Sequence, residues 1–433
     1  MGTRGGQWTL AWWVAVAAGC AAENKAYDPS AAGGTGVATG EVPYATSDGA
    51  AADASGDASD TEATATTVGD GEGGSTDMEP PPAQWWDPAY GTRIRLGFEP
   101  LFGEPLDGFV AAVELDELEP LFDLDPAAGI ATVDPDTMQP VPHEALGFDP
   151  DDGSMLLWVR LPSWRTGEHT PIDLYVDGPI DAHVDAGLVW DEGFAGVWHL
   201  DELDRETTPN AVDEAGAGAL LGLGNTAPPA FEPGVVGGAA EFDGYDDLIE
   251  VPAQQIGTPD ESPTLTVSAW ARLESFAPQG APVFAFSDTY GTAPEVNDAY
   301  LRVYSDRAQT LIRTTDDDTF NPLLWYDWTG GDPEWHHVAM VYDGADSLVL
   351  FDGIVVGDRP LIGDVVFDSA SFHIGGWGIV DDFDPDDGDR TWHGGIDEVR
   401  VSFEARSLEW IHASFVNMAN PPGTFDVLAV EGL

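Results

Sequence analysis

The chain has 433 residues, enough for two or three folded units, and 43% of them are hydrophobic, including 16 Trp, so sizeable cores can form. Its 15 basic and 78 acidic residues give a net charge of −63, which argues against nucleic acids and anionic lipids because their phosphates would be repelled. This charge favours the binding of divalent cations, a salt-rich extracellular habitat or simply a strongly solvated surface. A composition bias of the source lineage explains it equally well.

The first twenty residues have the features of an export signal. Arg4 supplies a positive charge, and residues 8–18 form an apolar stretch that is too short to span a bilayer. The ending at residues 16–20 resembles a bacterial lipobox, although Ala17 stands where Leu, Val or Ile is usual. Because Cys20 is the only cysteine, we predict a lipoprotein with lipidation at Cys20, secreted across the inner membrane and held at the bacterial outer membrane or cell surface. An ordinary cleaved signal peptide with an incidental cysteine is the alternative.

Residues 21–84 are dominated by Ala, Gly, Thr, Ser, Asp and Glu, and Lys25 is the only basic residue among them. Such a composition cannot bury enough apolar surface to offset the entropy of ordering the chain. We therefore predict a disordered, acidic linker that holds the remaining residues away from the membrane.

From residue 85 onward the patterns predict an all-β protein. Alternation with a period of two predicts strands at residues 109–115, 129–133, 155–161 and 171–176, and again at 265–273, 335–343, 348–353 and 394–401. The hexapeptide Phe-Asp-Pro-Asp-Asp-Gly occurs at residues 148–153 and 383–388, and its Pro and Gly favour strand-connecting turns. Ser407 is placed to cap a short helix over residues 408–416.

Several of these strings carry a resemblance to a known fold. WHHVAMVYD at 335–343, LVLFDG at 348–353 and GGIDEVRV at 394–401, preceded by residues 240–251, resemble the laminin-G-like jelly roll of concanavalin A-like lectins and glucanases in order and spacing. The resemblance implies a jelly-roll sandwich over residues 191–405. That fold presents glycans or protein surfaces to its loops and usually performs no chemistry.

Residues 85–190 resemble a second family, a bacterial surface module known as domain-of-unknown-function family 2341. The matching features are Trp85, Trp86, Tyr90 and Arg93, followed by residues 142–144, 157–162 and 172–178. The last of these strings departs from the family's usual pattern. This resemblance implies a small β-sandwich-like module before the jelly roll, with residues 406–433 forming a C-terminal helix and closing segment.

The jelly-roll resemblance also implies a cofactor. A structural calcium often takes a ligand from the last strand of such folds, and Asp397 matches that position, with Asp201 or Asp243 as a partner. The alternative is that Asp397 accepts backbone hydrogen bonds without a metal. Residues 381–389 carry six Asp, but their Gly comes one place late for an EF-hand and His393 occupies the twelfth position, so a solvated turn is favoured over weak calcium binding.

Four tryptophans are candidates for a sugar-stacking platform. Aromatic faces stack on pyranose rings, and loop-like or acidic surroundings place Trp325, Trp328, Trp377 and Trp392 in this group. The alternative for each is packing at the edge of the sandwich.

Catalytic motifs are missing from the sequence. No predicted strand carries the alternating acidic residues of a glycoside hydrolase of this fold, and neither Gly-x-Ser-x-Gly nor His-Glu-x-x-His occurs. Asp397 and Glu398 are adjacent, so we expect them on opposite faces of a strand, as we do His336 and His337. We predict a non-catalytic cell-surface protein that recognises a glycan or a protein partner through the jelly roll. A structural envelope protein and, less favoured, a polysaccharide-degrading enzyme are the alternatives.

Overall fold

The computed structural model describes residues 84–433, apart from 102, 123, 126, 180–185, 191–192, 202–206, 214–215, 223–227, 276–279, 288–296, 317–321, 327, 329–332, 370 and 378–390. The described part of the chain is nearly all β, and Trp86–Leu433 form one compact unit. The predicted export signal, Cys20 and the acidic linker lie outside the described residues.

The strands before the jelly roll are β1 (Thr92–Phe98), β2 (Leu106–Asp107), β3 (Val110–Leu115), β4 (Gly129–Asp134), β5 (Gln139–Val141), β6 (His143–Asp149), β7 (Ser154–Arg160), β8 (Ser163–Trp164) and β9 (Thr170–Gly178). The jelly-roll strands are β10 (Phe194–Trp198), β11 (Thr207–Thr208), β12 (Gly218–Gly222), β13 (Ala230–Pro233), β14 (Gly238–Asp243), β15 (Asp247–Pro252), β16 (Glu261–Ser262), β17 (Leu265–Arg272), β18 (Ala281–Ser287), β19 (Asn297–Val303), β20 (Ala308–Ile312), β21 (Leu323–Trp325), β22 (Trp335–Tyr342), β23 (Asp346–Phe351), β24 (Ile354–Pro360), β25 (Val365–Val366), β26 (Ser371–Ile374) and β27 (His393–Ser402). Helix α1 (Leu408–Ala419) and β28 (Phe425–Gly432) follow, with short 3-10 helices at Glu119–Leu121, Ala186–Leu188, Ala253–Ile256 and Pro421–Gly423.

The first nine strands and the last one build a small sandwich, which we call the first sandwich. One sheet has the order β28-β1-β9-β4-β5 and the other has the order β3-β7-β6. Alternate residues of β1, such as Ile94 and Leu96, pack against alternate residues of β7, such as Leu157 and Val159, in one buried cluster. The last strand, β28, therefore completes a sheet that the first strand begins.

The jelly roll consists of two larger sheets that face each other. Their orders are β13-β14-β27-β17-β22-β23-β24, with β10 also paired to β27, and β11-β12-β15-β26-β18-β19-β20-β21. The core between them is continuous and includes Phe242, Val267, Phe284 and Val399. The predicted all-β fold, with a small sandwich followed by a concanavalin A-like jelly roll, is confirmed.

Strand β27 contains an irregularity at the point where it changes neighbours. It pairs with β14 up to Ile396 and with β10 from Val399, and its register against β17 shifts between these points. Glu398 has a φ of 49°, and Ile396 and Val399 both lie in the core. This bulge breaks the strict alternation from which we expected Asp397 and Glu398 to point to opposite faces.

Helix α1 begins at the predicted place, because the Ser407 hydroxyl accepts a hydrogen bond from the amide of Trp410 at 3.1 Å. Its buried residues include Ile411, which packs against β22 and β23, and Asn417, which is bonded to β3. Leu408 and His412 of the same helix are exposed. The helix thus covers the outer face of the jelly roll while also contacting the first sandwich.

Candidate functional site

An acidic turn joins β14 to β15 at one end of the jelly roll. The Asp243 carboxylate accepts hydrogen bonds from the amides of Tyr245 (2.8 Å) and Asp246 (3.3 Å), and Gly244 adopts the positive φ that closes the turn. Asp243, Asp246 and Asp247 each offer an oxygen within 4.8 Å of the others. We call these three residues the acidic triad.

Asp246 and Asp247 are the two buried members of the triad, each 3% exposed. One oxygen of Asp247 accepts a hydrogen bond from the Asp243 amide at 2.9 Å, whereas its buried Oδ1 has no hydrogen-bond partner among the described residues. Burial raises the pKa of Asp247 to about 7; the Asp243 amide opposes this rise, and the carboxylates of Asp243 and Asp246 add to it. A bound cation would favour the ionised form, and carboxylate oxygens are the ligands that calcium prefers.

The neighbours of the triad add an exposed ring and a second unpartnered oxygen. Tyr245 is 60% exposed, whereas the Thr391 hydroxyl is buried without a hydrogen-bond partner. Thr391 forms an isolated β-bridge with Gly376. A Cβ added at Gly376 would contact both Thr391 and Leu248, which lies at the end of the turn. The Asp-rich segment 381–389, which was considered for weak calcium binding, lies outside the described residues.

The structure separates Asp397 from Asp243, one of its two predicted partners for calcium, but places Asp201, the other, at the turn that Asp397 contacts. Asp243 pairs across the sheet with His393, so Asp397 lies four residues further along β27, a span of about 13 Å. Asp201 lies beside Gly237 and Gly238, at the turn that Asp397 also contacts. Among the described residues, neither Asp201 nor Asp397 belongs to a group of three or more potential metal-binding side chains.

Asp397 instead holds the turn between β13 and β14. Its carboxylate accepts hydrogen bonds from the amides of Val235 (2.7 Å) and Val236 (3.1 Å), and its side chain is fully buried. Burial, together with the adjacent Glu398, raises the pKa of Asp397 well above its ordinary value. Oδ2 accepts both bonds, as in the alternative in which Asp397 serves the backbone, whereas Oδ1 is buried without a hydrogen-bond partner among the described residues.

A charged network that sequence reasoning did not find joins the first sandwich to the jelly roll. His199 Nδ1 lies 2.7 Å from Glu398, and Nε2 lies 3.3 Å from Glu144 of β6. Arg400 donates to Glu398 at 2.9 Å and stacks over Trp158. Burial lowers the pKa of His199, but Glu398 and Glu144 outweigh burial and leave that pKa well above its ordinary value.

The His199 imidazole and the Glu398 carboxylate have almost no contact with solvent, so we interpret this network as structural. Glu144 lies in a string that carries only a family resemblance, and no motif in the sequence marks His199. Nothing in their spacing indicates that residues 55 positions apart meet.

The predicted sugar platform is not available on the described surface. Trp325, Trp328 and Trp392 are at most 2% exposed and lie in the jelly-roll core, with Trp328 and Trp392 packed at 5.6 Å. Trp377 is 8% exposed and packs edge-on against Tyr300. Their faces are covered by other side chains, so they cannot stack on a pyranose in this conformation; Trp325, for example, ends β21 rather than standing in a loop.

The comparison with family models places the jelly roll in a known class. A model described as the concanavalin A-like lectin/glucanases superfamily matches residues 243–412, a range that begins in the acidic turn. The two facing sheets of the jelly roll agree with the fold that this match indicates for residues 243–412. No match was found among curated proteins.

Solved structures show distant similarity to the chain. Domain 4 of the extracellular arabinanase AbnA of Geobacillus stearothermophilus, in complex with arabinotriose, is 17% identical over 53% of this chain and 98% of its own, with a TM-score of 0.36. The binding domain of Paraclostridial Mosquitocidal Protein 1 is 7% identical over 52% of each chain, with a TM-score of 0.38. A sialidase of Trypanosoma rangeli is 12% identical over 63% of this chain and 42% of its own, with a TM-score of 0.40. At these scores the similarities carry no argument about function.

In the described part of the chain, no helix is both long enough and apolar enough to cross a membrane.

Proposed function

We propose that this chain is a non-catalytic, cell-surface binding protein that recognises a glycan at the acidic end of its jelly roll, with calcium held by the acidic triad. The observation that carries the proposal is that one short turn holds both the exposed Tyr245 and a buried oxygen of Asp247 with no hydrogen-bond partner among the described residues. Calcium would offset two of the three carboxylate charges and fix the turn, which would restrict the orientation of the ring.

The chemistry of this end favours a neutral glycan. A tyrosine ring stacks on the apolar face of a pyranose, and calcium held by carboxylates can complete its shell of hard oxygen ligands with vicinal hydroxyl oxygens. The net charge of −63 disfavours polyanionic chains at long range. In this proposal the first sandwich acts as a rigid support.

A glycan array with the full-length protein tests this proposal. Binding to a defined class of neutral glycan is expected in calcium and should weaken in chelator. Tyr245→Ala should weaken binding by about tenfold, as loss of an aromatic contact does. Tyr326→Ala is the matched control, because Tyr326 is 59% exposed, nearly the same as Tyr245, yet lies in a different loop.

The possible results separate the parts of the proposal. Equal loss in both tyrosine variants, or no binding in either condition, would contradict the site. Binding that requires Tyr245 but does not depend on calcium would contradict only the calcium part of the proposal. Hydrolysis of a polysaccharide that is abolished by an Asp or Glu substitution would overturn the non-catalytic role.

Attachment to the cell surface is the second part of the proposal, supported by the sequence of residues 1–20. If lipid at Cys20 anchors the protein, Cys20→Ala should move it from the membrane fraction to the soluble fraction. Unchanged membrane retention would contradict the anchor.

A further inference from the structure

An apolar groove lies where α1, the β23–β24 hairpin and the first sandwich meet. Its volume is about 520 Å³, within the usual range for ligand sites. Leu350 and Ile354 line one wall, Trp164 lines the opposite wall, and Leu408 and Val416 of α1 line the third. The groove is far along the chain from the acidic turn and uses none of its residues.

Helix α1 presents a second apolar face to this groove. Leu408, His412 and Val416 are spaced four residues apart, so they form one stripe along the helix, distinct from the face that buries Ile411 and Met418. Leu408 and Val416 are 42% and 40% exposed, and Ile354 across the groove is 64% exposed. Large apolar side chains gathered in one groove, rather than scattered singly, mark an interaction surface.

The rim of the groove is acidic. Glu99 and Glu409 contribute to the lining, and Asp426 and His169 each offer an atom within 4.8 Å of a Glu99 oxygen. The described lining contains no Lys or Arg. An apolar floor with carboxylates at the edge complements a segment that carries apolar side chains flanked by positive charges.

We propose that this groove docks a segment of another protein in which apolar side chains are flanked by Lys or Arg. Two copies of this chain would bring two net charges of −63 together, so charge argues against self-association. The apolar side chains of the partner would fill the space between Ile354 and Leu408, and its cations would face Glu99 and Glu409. This docking surface is independent of the proposed glycan site.

Selection from a random 12-residue peptide library on the full-length protein tests the proposal. Counter-selection uses the double variant Ile354→Ser Leu408→Ser, whose exposed positions make unfolding improbable as the cause of any loss. Selected peptides are expected to be rich in Lys or Arg together with Leu, Ile or Phe. In anisotropy titrations, the double variant should bind the best peptide at least about tenfold more weakly, because two side chains that the peptide would bury on binding are lost.

Matched controls distinguish the groove from general attraction to an acidic protein. Ile362→Ser removes an isoleucine of nearly equal exposure, 65%, outside the groove, and should change binding by less than about twofold. Glu409→Lys should weaken binding more than Glu261→Lys, which changes the net charge equally at a remote exposed site.

The proposal would be overturned if the two lysine variants had equal effects or if the double variant bound the peptide as well as the native protein does. It would also be overturned if the library yielded no peptide that prefers the native groove. Acidic or wholly polar selected peptides would also contradict it, because they would not match the chemistry of the floor and rim.

Discussion

Replacing Asp247 by Asn should stabilise the protein without calcium and abolish its response to calcium. The carboxyl has a pKa near 3.9 in an unfolded chain and about 7 in the fold. A difference of about three in pKa corresponds to about 4 kcal/mol at pH 8, which we reduce to about 2 kcal/mol because water near the turn screens the charge. An Asn oxygen can still accept the hydrogen bond from the Asp243 amide.

The sign of the pH dependence follows from the raised pKa. Because folding penalises the ionised form, the free energy of unfolding of the native protein without calcium should fall as pH rises from about 4 to about 7, and stay reduced above that. Asp247→Asn removes this component, so the two proteins should converge at low pH. Calcium at one hundred times its Kd would add about 2.7 kcal/mol to the native protein and little to the variant, which reverses their order.

Urea unfolding followed by tryptophan fluorescence, at pH 5 and pH 8 with calcium or chelator, measures these differences. The matched control is Asp134→Asn, a buried turn carboxylate that accepts bonds from the Asp136 amide and the Thr137 hydroxyl. It should leave the calcium response unchanged. A variant Asp247→Asn that is less stable than the native protein in chelator at pH 8 would refute the electrostatic reasoning, and an equal gain from calcium would show that Asp247 is not a ligand.

Three further changes test the joints of the fold. His199→Leu leaves the carboxylates of Glu144 and Glu398 without their shared cation, so the free energy of unfolding should fall by about 3–5 kcal/mol in urea titrations. Asn417→Ala removes hydrogen bonds to the amide and carbonyl of Ala112 and to the Thr424 hydroxyl, which should lower the free energy of unfolding by about 2–3 kcal/mol. Deleting residues 425–433 uncovers the edge of β1 and should increase the aggregated fraction on size exclusion.

Control variants and the dependence on pH provide further tests of the first two of these predictions. Exposed His169→Leu and Asn420→Ala should each change the free energy of unfolding by less than about 0.5 kcal/mol, and losses equal to those of their buried counterparts would contradict the argument. Because the pKa of His199 is raised, its contribution is fully present below about pH 6.5 and is lost as pH rises through the raised value. The cost of His199→Leu should therefore shrink at alkaline pH.

Local patterns in the sequence were sufficient to locate the predicted strands and the start of α1. The predicted strand at residues 265–273 corresponds to Leu265–Arg272, and that at 155–161 to Ser154–Arg160, because alternation records which side chains face a core. Ser407 likewise marks the start of the helix.

Patterns cannot show which distant segments meet or which rings are covered. Trp325 and Trp328 lie in a string with the polarity of a loop, yet the opposite sheet buries them. The bulge at Glu398 shifts the alternation by one residue, and that shift places Glu398 on the same face of the strand as Asp397. In the acidic triad, Asp243 was predicted as a ligand, but its companions Asp246 and Asp247 became visible only through the geometry of the turn.

The pairing of β28 with β1 has a consequence for the order in which the protein folds. Arg93 and Glu431, which form an ion pair across these strands, are 338 positions apart. β1 emerges long before β28, whether from the ribosome or from the export machinery, so the first sandwich keeps one sheet edge open until the jelly roll and helix have emerged. Closing so long a loop is a slow, late step, so the first sandwich is the first folded unit to emerge and the last to become complete.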